Sequence, residues 1–218
     1  MTTTGHVKFV GGRLCLDFVN TLSGRMDPAP VERLQRYDDL VAWARKAGLM
    51  GRSRMSALLH SARLDPAQAA RVLGRARAMR ECVHRLCRAA ADGRKARRED
   101  LEVLNDALAD AVSHLKIGAA PGGVEWTWVG TGDALEQPLW PIARSAAELL
   151  TTPAAARIKE CPGRHCGWLF LDRTKNRSRR WCEMSVCGNR AKARRHYRRK
   201  ARGLAAGKPR GRSEPERS

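Results

Sequence analysis

The sequence predicts a mostly α-helical chain with a small β component: a helical N-terminal domain followed by a small C-terminal module held by metal. Three observations carry this. Apolar residues recur at helical spacing through most of the chain before Leu150. Two close cysteine pairs stand at Cys161/Cys166 and Cys182/Cys187. The basic excess gathers around and after those cysteines.

With 218 residues, 43% of them hydrophobic, the chain can build one substantial domain and one small one. We place the divisions at residues 1–155, 156–203 and 204–218. No apolar run approaches the roughly 20 residues that cross a bilayer. Met1–Val10 lacks the basic and apolar regions of a secretory signal, so a cytoplasmic, reducing setting is expected.

Element by element, Leu14, Phe18 and Leu22 predict a helix over Arg13–Leu22, with Pro28 and Pro30 closing the segment. Asp17, Asn20 and Thr21 lie on its polar side. They suit local hydrogen bonding to caps and loops, or alternatively a small-ligand site in a sensor domain. Tyr37–Ala47 reads as a helix stopped by Gly48, and Ser53–Arg63 as another capped by Ser53. Asp65-Pro66 offers a cap and a first-turn proline for a long helix to Ala91. Its buried stripe is Val72, Ala76, Met79, Val83, Leu86 and Ala90, and its many arginines (Arg71, Arg75, Arg77, Arg80, Arg85, Arg88) read as a solvated face. Cys15, Cys82 and Cys87 read as ordinary core residues.

Leu101, Leu104, Leu108, Val112 and Leu115 predict the next helix over Asp100–Lys116, antiparallel to the long one. Pro121-Gly122-Gly123 is a turn, and Val124–Val129 alternates as a strand does. Its expected partner is Val7–Val10 or a segment after Leu150. Asp133 is expected to begin a last helix, kinked at Pro141, that closes at Thr151-Thr152-Pro153.

The two cysteine pairs carry the chemistry. Each has four intervening residues, and fifteen lie between the pairs. Two thiolates from one turn, twice, brought together by a loop, are what a tetrahedral zinc ion requires. Disulfides suit an oxidising compartment, and buried free thiols are out of place in a polar, arginine-rich segment. An iron–sulfur cluster takes four thiolates as well, but the paired spacing and the basic surroundings favour zinc. His165 is an alternative to one of the thiolates. We expect a knuckle over Cys161–Gly167, a strand over Trp168–Leu171, a return strand over Arg179–Cys182 and a helix from about Ser185–Cys187. Knuckle, hairpin and helix make a treble-clef-like zinc finger. Trp168, Phe170 and Trp181 would form its small core, with metal binding supplying on the order of 10 kcal/mol.

Charge indicates the partner. Residues 1–156 hold 22 Lys+Arg against 17 Asp+Glu, whereas residues 157–212 hold 19 against 3. From Val186 to Arg212 no acid intervenes. A helix carrying Arg190, Lys192, Arg194, Arg195, Arg198 and Arg199 suits a phosphate backbone and has the width of a DNA major groove. Arg173, Lys175, Arg177, Arg179 and Arg180 extend the basic surface. Asn189 and Arg190 can pair with base edges, although Asn189 could equally brace the knuckle. Residues 204–218 read as a disordered basic tail.

The same residues carry a resemblance. Cys161-Pro162, CGWLFLD, NRSRRWC and Cys187-Gly188-Asn189-Arg190 resemble the CGNR zinc finger of bacterial proteins. There it follows a helical domain called ABATE, whose opening GGRLCLDFVNTL (Gly11–Leu22) resembles. Proteins of that family are regarded as stress-induced transcriptional regulators, which implies a structural zinc and a DNA partner.

The expected function is therefore a zinc-dependent DNA-binding regulator, with DNA favoured over RNA and no membrane partner. A homodimer through the helical domain and a small-molecule effector are further expectations. An RNA-binding protein is the alternative. A metal-dependent nuclease is a weaker one, since His165 and His196 have no paired acidic constellation and no catalytic motif occurs elsewhere.

Overall fold

The computed structural model describes residues 8–130 and 134–206, with side chains placed through residue 201. The described residues form seven α-helices and three two-stranded antiparallel sheets. Asp133, Val7 and residues 207–218 of the expected tail lie outside them.

Helix α1 spans Leu14–Val19, shorter than the predicted Arg13–Leu22. Cys15–Val19 are all buried, so the length of this helix is set by the room inside the core rather than by an amphipathic stripe. The chain turns at Asn20–Thr21, and β1 (Leu22–Ser23) pairs with β2 (Val31–Glu32). Helix α2 (Tyr37–Lys46) is capped by Asp39, whose carboxylate accepts from the amides of Gln35 and Arg36 at 3.0 and 2.9 Å. Helix α3 (Arg52–Leu64) takes Gly51 as its cap residue, two residues ahead of the expected Ser53. Helix α4 (Pro66–Ala91) follows the sequence closely: Asp65 accepts from Gln68 N at 2.8 Å, and the predicted stripe is buried up to Leu86, with Ala90 half-buried.

The arginine face of α4 departs from expectation. Arg80 is only 3% exposed and grips Glu32 with both terminal nitrogens at 2.7 and 2.6 Å, while its Nε donates to Glu81. Arg77 donates to the carbonyl of Leu34, and Arg85 to Asp100. A guanidinium can be buried when its fork is matched by carboxylates and carbonyls. Sequence periodicity sees only the charge, not the acid that arrives from β2.

Helix α5 (Arg98–Ser113) ends before Lys116, and the strand call is corrected with it. Leu115–Ala120 forms β3, the partner of β4 (Gly123–Trp128), with Leu115 opposite Trp128 and Ala120 opposite Gly123. Neither Val7–Val10 nor a segment after Leu150 pairs with it among the described residues. Pro121 and Gly122 (φ 90°) close the hairpin, and only glycine takes that φ without strain. Of the predicted α5 stripe, Leu104 is buried whereas Leu101 and Val112 are exposed. Helix α6 is Trp140–Leu150. Pro141 lies in its first turn, where the missing N–H has no intrahelical partner to lose, so it starts the helix rather than kinking it.

The core centres on α1, which packs against α4, α6 and a strand of the C-terminal module. Phe18 and Trp43 meet at 5.3 Å, and Cys15, Cys82 and Cys87 are fully buried free thiols, as read.

Candidate zinc centre and nucleic-acid interface

The C-terminal module is built on β5 (Ile158–Glu160), paired antiparallel with β6 (Leu169–Leu171) so that Ile158 faces Leu171 and Glu160 faces Leu169. Residues 179–182 were expected as the return strand, and the structure overturns this. The Lys159 ammonium donates to the carbonyls of Arg177 and Arg179 and to the Asp172 carboxylate, which in turn accepts from Arg179 N at 3.0 Å. Side chains thus take the hydrogen bonds that a second strand would have offered. Burial pushes the Asp172 carboxyl up, but Lys159 and Thr174 more than reverse this and hold it well below the usual carboxylate range.

The period of two in β6 divides its side chains. Phe170 faces the four cysteines, and Leu169 and Leu171 join the large core around α1. The finger therefore shares its strand with the first domain. Asn20 locks the joint: its amide donates to Leu169 O and accepts from Leu169 N, both at 2.9 Å. Asp17 accepts from Gly11 N at 2.7 Å, and Gly11 O accepts from Leu171 N at 2.8 Å. Thr21 donates to Phe18 O at 2.7 Å and accepts from Arg80. All three side chains are buried. Burial pushes the Asp17 carboxyl up to about 6, opposed by the amides of Gly11 and Val10.

Two further connections rest on long-range contacts and leave no local signal in the sequence. Arg25 N donates to Cys166 O at 3.2 Å, while its guanidinium is held by Glu81 at 2.6 and 3.1 Å. Arg88 pairs with Glu160 at 3.1 Å, tying α4 to β5.

The knuckle places the first cysteine pair. Cys161 N donates to Trp168 O at 2.8 Å and Cys166 N to Gly163 O at 2.9 Å. A Cβ on Gly163 would stand 3.0 Å from Cys187 Sγ, so the glycine lets the knuckle approach the second pair. Cys187 lies in a wide turn, Met184–Gly188, in which Glu183 O accepts from the amides of both Cys187 and Gly188. Helix α7 (Asn189–Ala206) follows directly, so it starts two residues after Cys187 and the last ligand sits in the turn before it rather than in its first turn. The Asn189 amide donates to Ser185 O at 3.2 Å and so braces this turn.

The Sγ atoms of Cys161, Cys166, Cys182 and Cys187 all lie within 4.8 Å of one another. Cys166–Cys182 and Cys182–Cys187 are 3.7 and 3.6 Å apart. A tetrahedral zinc with bonds of about 2.3 Å sets its sulfurs about 3.8 Å apart, so the donor set fits. Hydrogen bonds from Cys166 and Cys182 pull the Cys161 thiol down, whereas hydrogen bonding with Cys161 pushes Cys166 and Cys182 up and burial pushes Cys187 up. His165 is not in the cluster: its Nδ1 lies 3.3 Å from Met26 O and 3.5 Å from Asp27.

The basic residues divide into two groups. Lys192, Arg195, Arg198, Arg199 and Arg190 of α7 are exposed and Arg194 is half-buried. None has an acid partner among the described residues. Lys175, Arg177 and Arg180 are exposed as well. Arg173 reaches back to Gly12 O. Arg179 is half-buried, stacks 4.4 Å from the Phe170 ring and donates to the carbonyls of Val10, Trp181 and Cys182.

A four-cysteine zinc module fused to a helical domain and extended by an unpaired basic helix defines a zinc-finger protein of the nucleic-acid-binding class. The chain belongs to the ABATE family: residues 12–153 match its family model, described as "Putative stress-induced transcription regulator", and residues 157–200 match the CGNR zinc finger. A search of curated proteins finds no match. The zinc is structural, held by four thiolates. Among the described residues no helix is long and apolar enough to cross a membrane.

Proposed function

We propose that this chain is a DNA-binding transcriptional regulator in which zinc fixes the start of α7 and α7 contacts duplex DNA. One observation carries the reading: α7 leaves the metal site directly and presents lysines and arginines that no acid of the described fold neutralises. A surface helix serving only solubility mixes signs, whereas uninterrupted cationic side chains release counterions from a phosphate backbone. Arg190, Lys192, Arg194, Arg195, Arg198 and Arg199 are the contact residues, with Lys175, Arg177 and Arg180 at the flank. Arg179 and Asn189 serve the module itself, since their polar groups already bond within it. The first domain positions the finger and is the candidate for sensing or self-association.

The test is competition binding of the zinc-loaded protein to duplex DNA and to structured RNA over a salt series, followed by selection from genomic fragments. An enriched duplex sequence bound more tightly than random DNA supports the reading. Equal affinity for all duplexes with tighter binding to RNA sinks it and favours an RNA partner.

A further inference from the structure

At the joint between the two domains lies a half-open cleft of about 470 Å³ beside the zinc cysteines. Its walls come from the β1–β2 loop, the knuckle and the first turns of α7. Two acids line it, Glu183 paired with Lys8 at 2.6 Å and Asp27 lying 3.5 Å from His165, together with three of the zinc cysteines, Cys166, Cys182 and Cys187. Against them stand four arginines, Arg33, Arg164, Arg190 and Arg194, whose guanidinium groups have no carboxylate or hydrogen-bond partner among the described residues. Arg33 and Arg194 are half-buried, so their charges are not simply dissolved in water. Trp168 forms part of the wall, and its Nε1, a buried donor, has no acceptor.

We propose that this cavity binds a small phosphorylated ligand of mononucleotide size, and that the ligand competes with nucleic acid for Arg190 and Arg194. Guanidinium forks match phosphate oxygens in bidentate pairs, and the start of α7 adds its partial positive charge. The volume falls in the range of small-molecule sites, roughly 300–1,000 Å³. The Trp168 indole and Val186 give an apolar wall for a flat ring, which inorganic phosphate would leave unused. Arg33 comes from the first domain and Arg190 from the basic helix, so one ligand would touch both parts of the chain. The binding claim stands apart from the proposed function; only the competition rests on α7 being the nucleic-acid surface.

Isothermal titration of the full-length zinc-loaded protein with adenosine monophosphate, inorganic phosphate and adenosine tests this. We expect saturable binding of the monophosphate, at least tenfold weaker binding of phosphate, and none of adenosine. Arg33→Ala and, separately, Arg164→Ala should each weaken monophosphate binding by tenfold or more while duplex DNA affinity stays within twofold. Arg198→Ala, outside the cavity, should weaken DNA binding and leave the monophosphate unaffected. No saturable monophosphate binding at millimolar concentration, or binding indifferent to both cavity variants, overturns the proposal. Equal loss of DNA affinity in Arg33→Ala overturns it too, because the cavity is then a subsite for the nucleic-acid backbone. Failure of the protein to bind any DNA leaves the monophosphate titration readable, so the two readings fail separately.

Discussion

Asn20 spends both ends of one side-chain amide on Leu169, the middle of the joint between helix α1 and the zinc module. Replacing it with leucine leaves a buried backbone N–H and C=O without partners, each costing about 1–3 kcal/mol. We expect Asn20→Leu to lower the urea midpoint by an amount equivalent to about 2–4 kcal/mol, while the four-thiolate zinc content is retained. Asp17, one turn earlier, gives a pH signature. Its carboxyl titrates at about 6 in the fold, above the ordinary value of 3.8, so between these values the folded state holds a proton that the unfolded chain has lost. Stability contributed by this group is therefore present below about pH 4 and falls as pH rises toward 6. Asp17→Asn keeps an oxygen that can accept from Gly11 N and removes the titration. The stability difference between variant and parent should grow in favour of the variant from pH 5 to 7, measured by urea unfolding at each pH. Zinc release at the acidic end affects both proteins and cancels in that difference.

At the scale of elements, α7 and the β3–β4 hairpin show what periodicity can and cannot reveal. The basic run after Cys187 is legible because its charge pattern is a property of the local chain, although α7 begins at Asn189, after a wide turn that holds the last cysteine. Each phosphate contact contributes about 0.9 to the slope of log K against log salt. The double variant Arg198→Ala/Arg199→Ala should therefore reduce that slope by about 2 and weaken binding of all duplexes alike. A slope unchanged within error would remove these two residues from the interface. Strand β3 was not legible. Leu115 continues the apolar spacing of α5, and nothing in LKIGAA itself announces a strand until Pro121 and Gly122 fold it back on Val124–Trp128.

For the whole molecule, the two parts share a core instead of meeting at a linker. Ile158, Leu169 and Leu171 belong to the cluster around Phe18 and Leu16, and Phe170 alone of β6 belongs to the zinc side. A small zinc finger usually depends on its metal for folding, and this one depends on α1 as well. A fragment of residues 157–206 should bind zinc but lack dispersed amide resonances and bind DNA at least tenfold more weakly than the full chain. Conversely, Cys182→Ser in the full chain should lose zinc, by metal analysis, and expose residues 160–200 to hydrogen exchange. Amides of α4 should stay protected, because most of its buried side chains pack within the first domain. A fragment as well dispersed as the intact protein would refute the shared core.

Sequence by itself determined the helical character of the first domain, the four zinc ligands and the basic helix that follows them. Each of these is written in spacing or charge over a few turns of chain, which local physics reads directly. Tertiary structure alone decided that Arg80 is buried, that Lys159 replaces a return strand, and that Asn20 ties α1 to the zinc module. Those outcomes depend on partners up to 149 residues away in the chain, and no local pattern specifies which partner a side chain will meet.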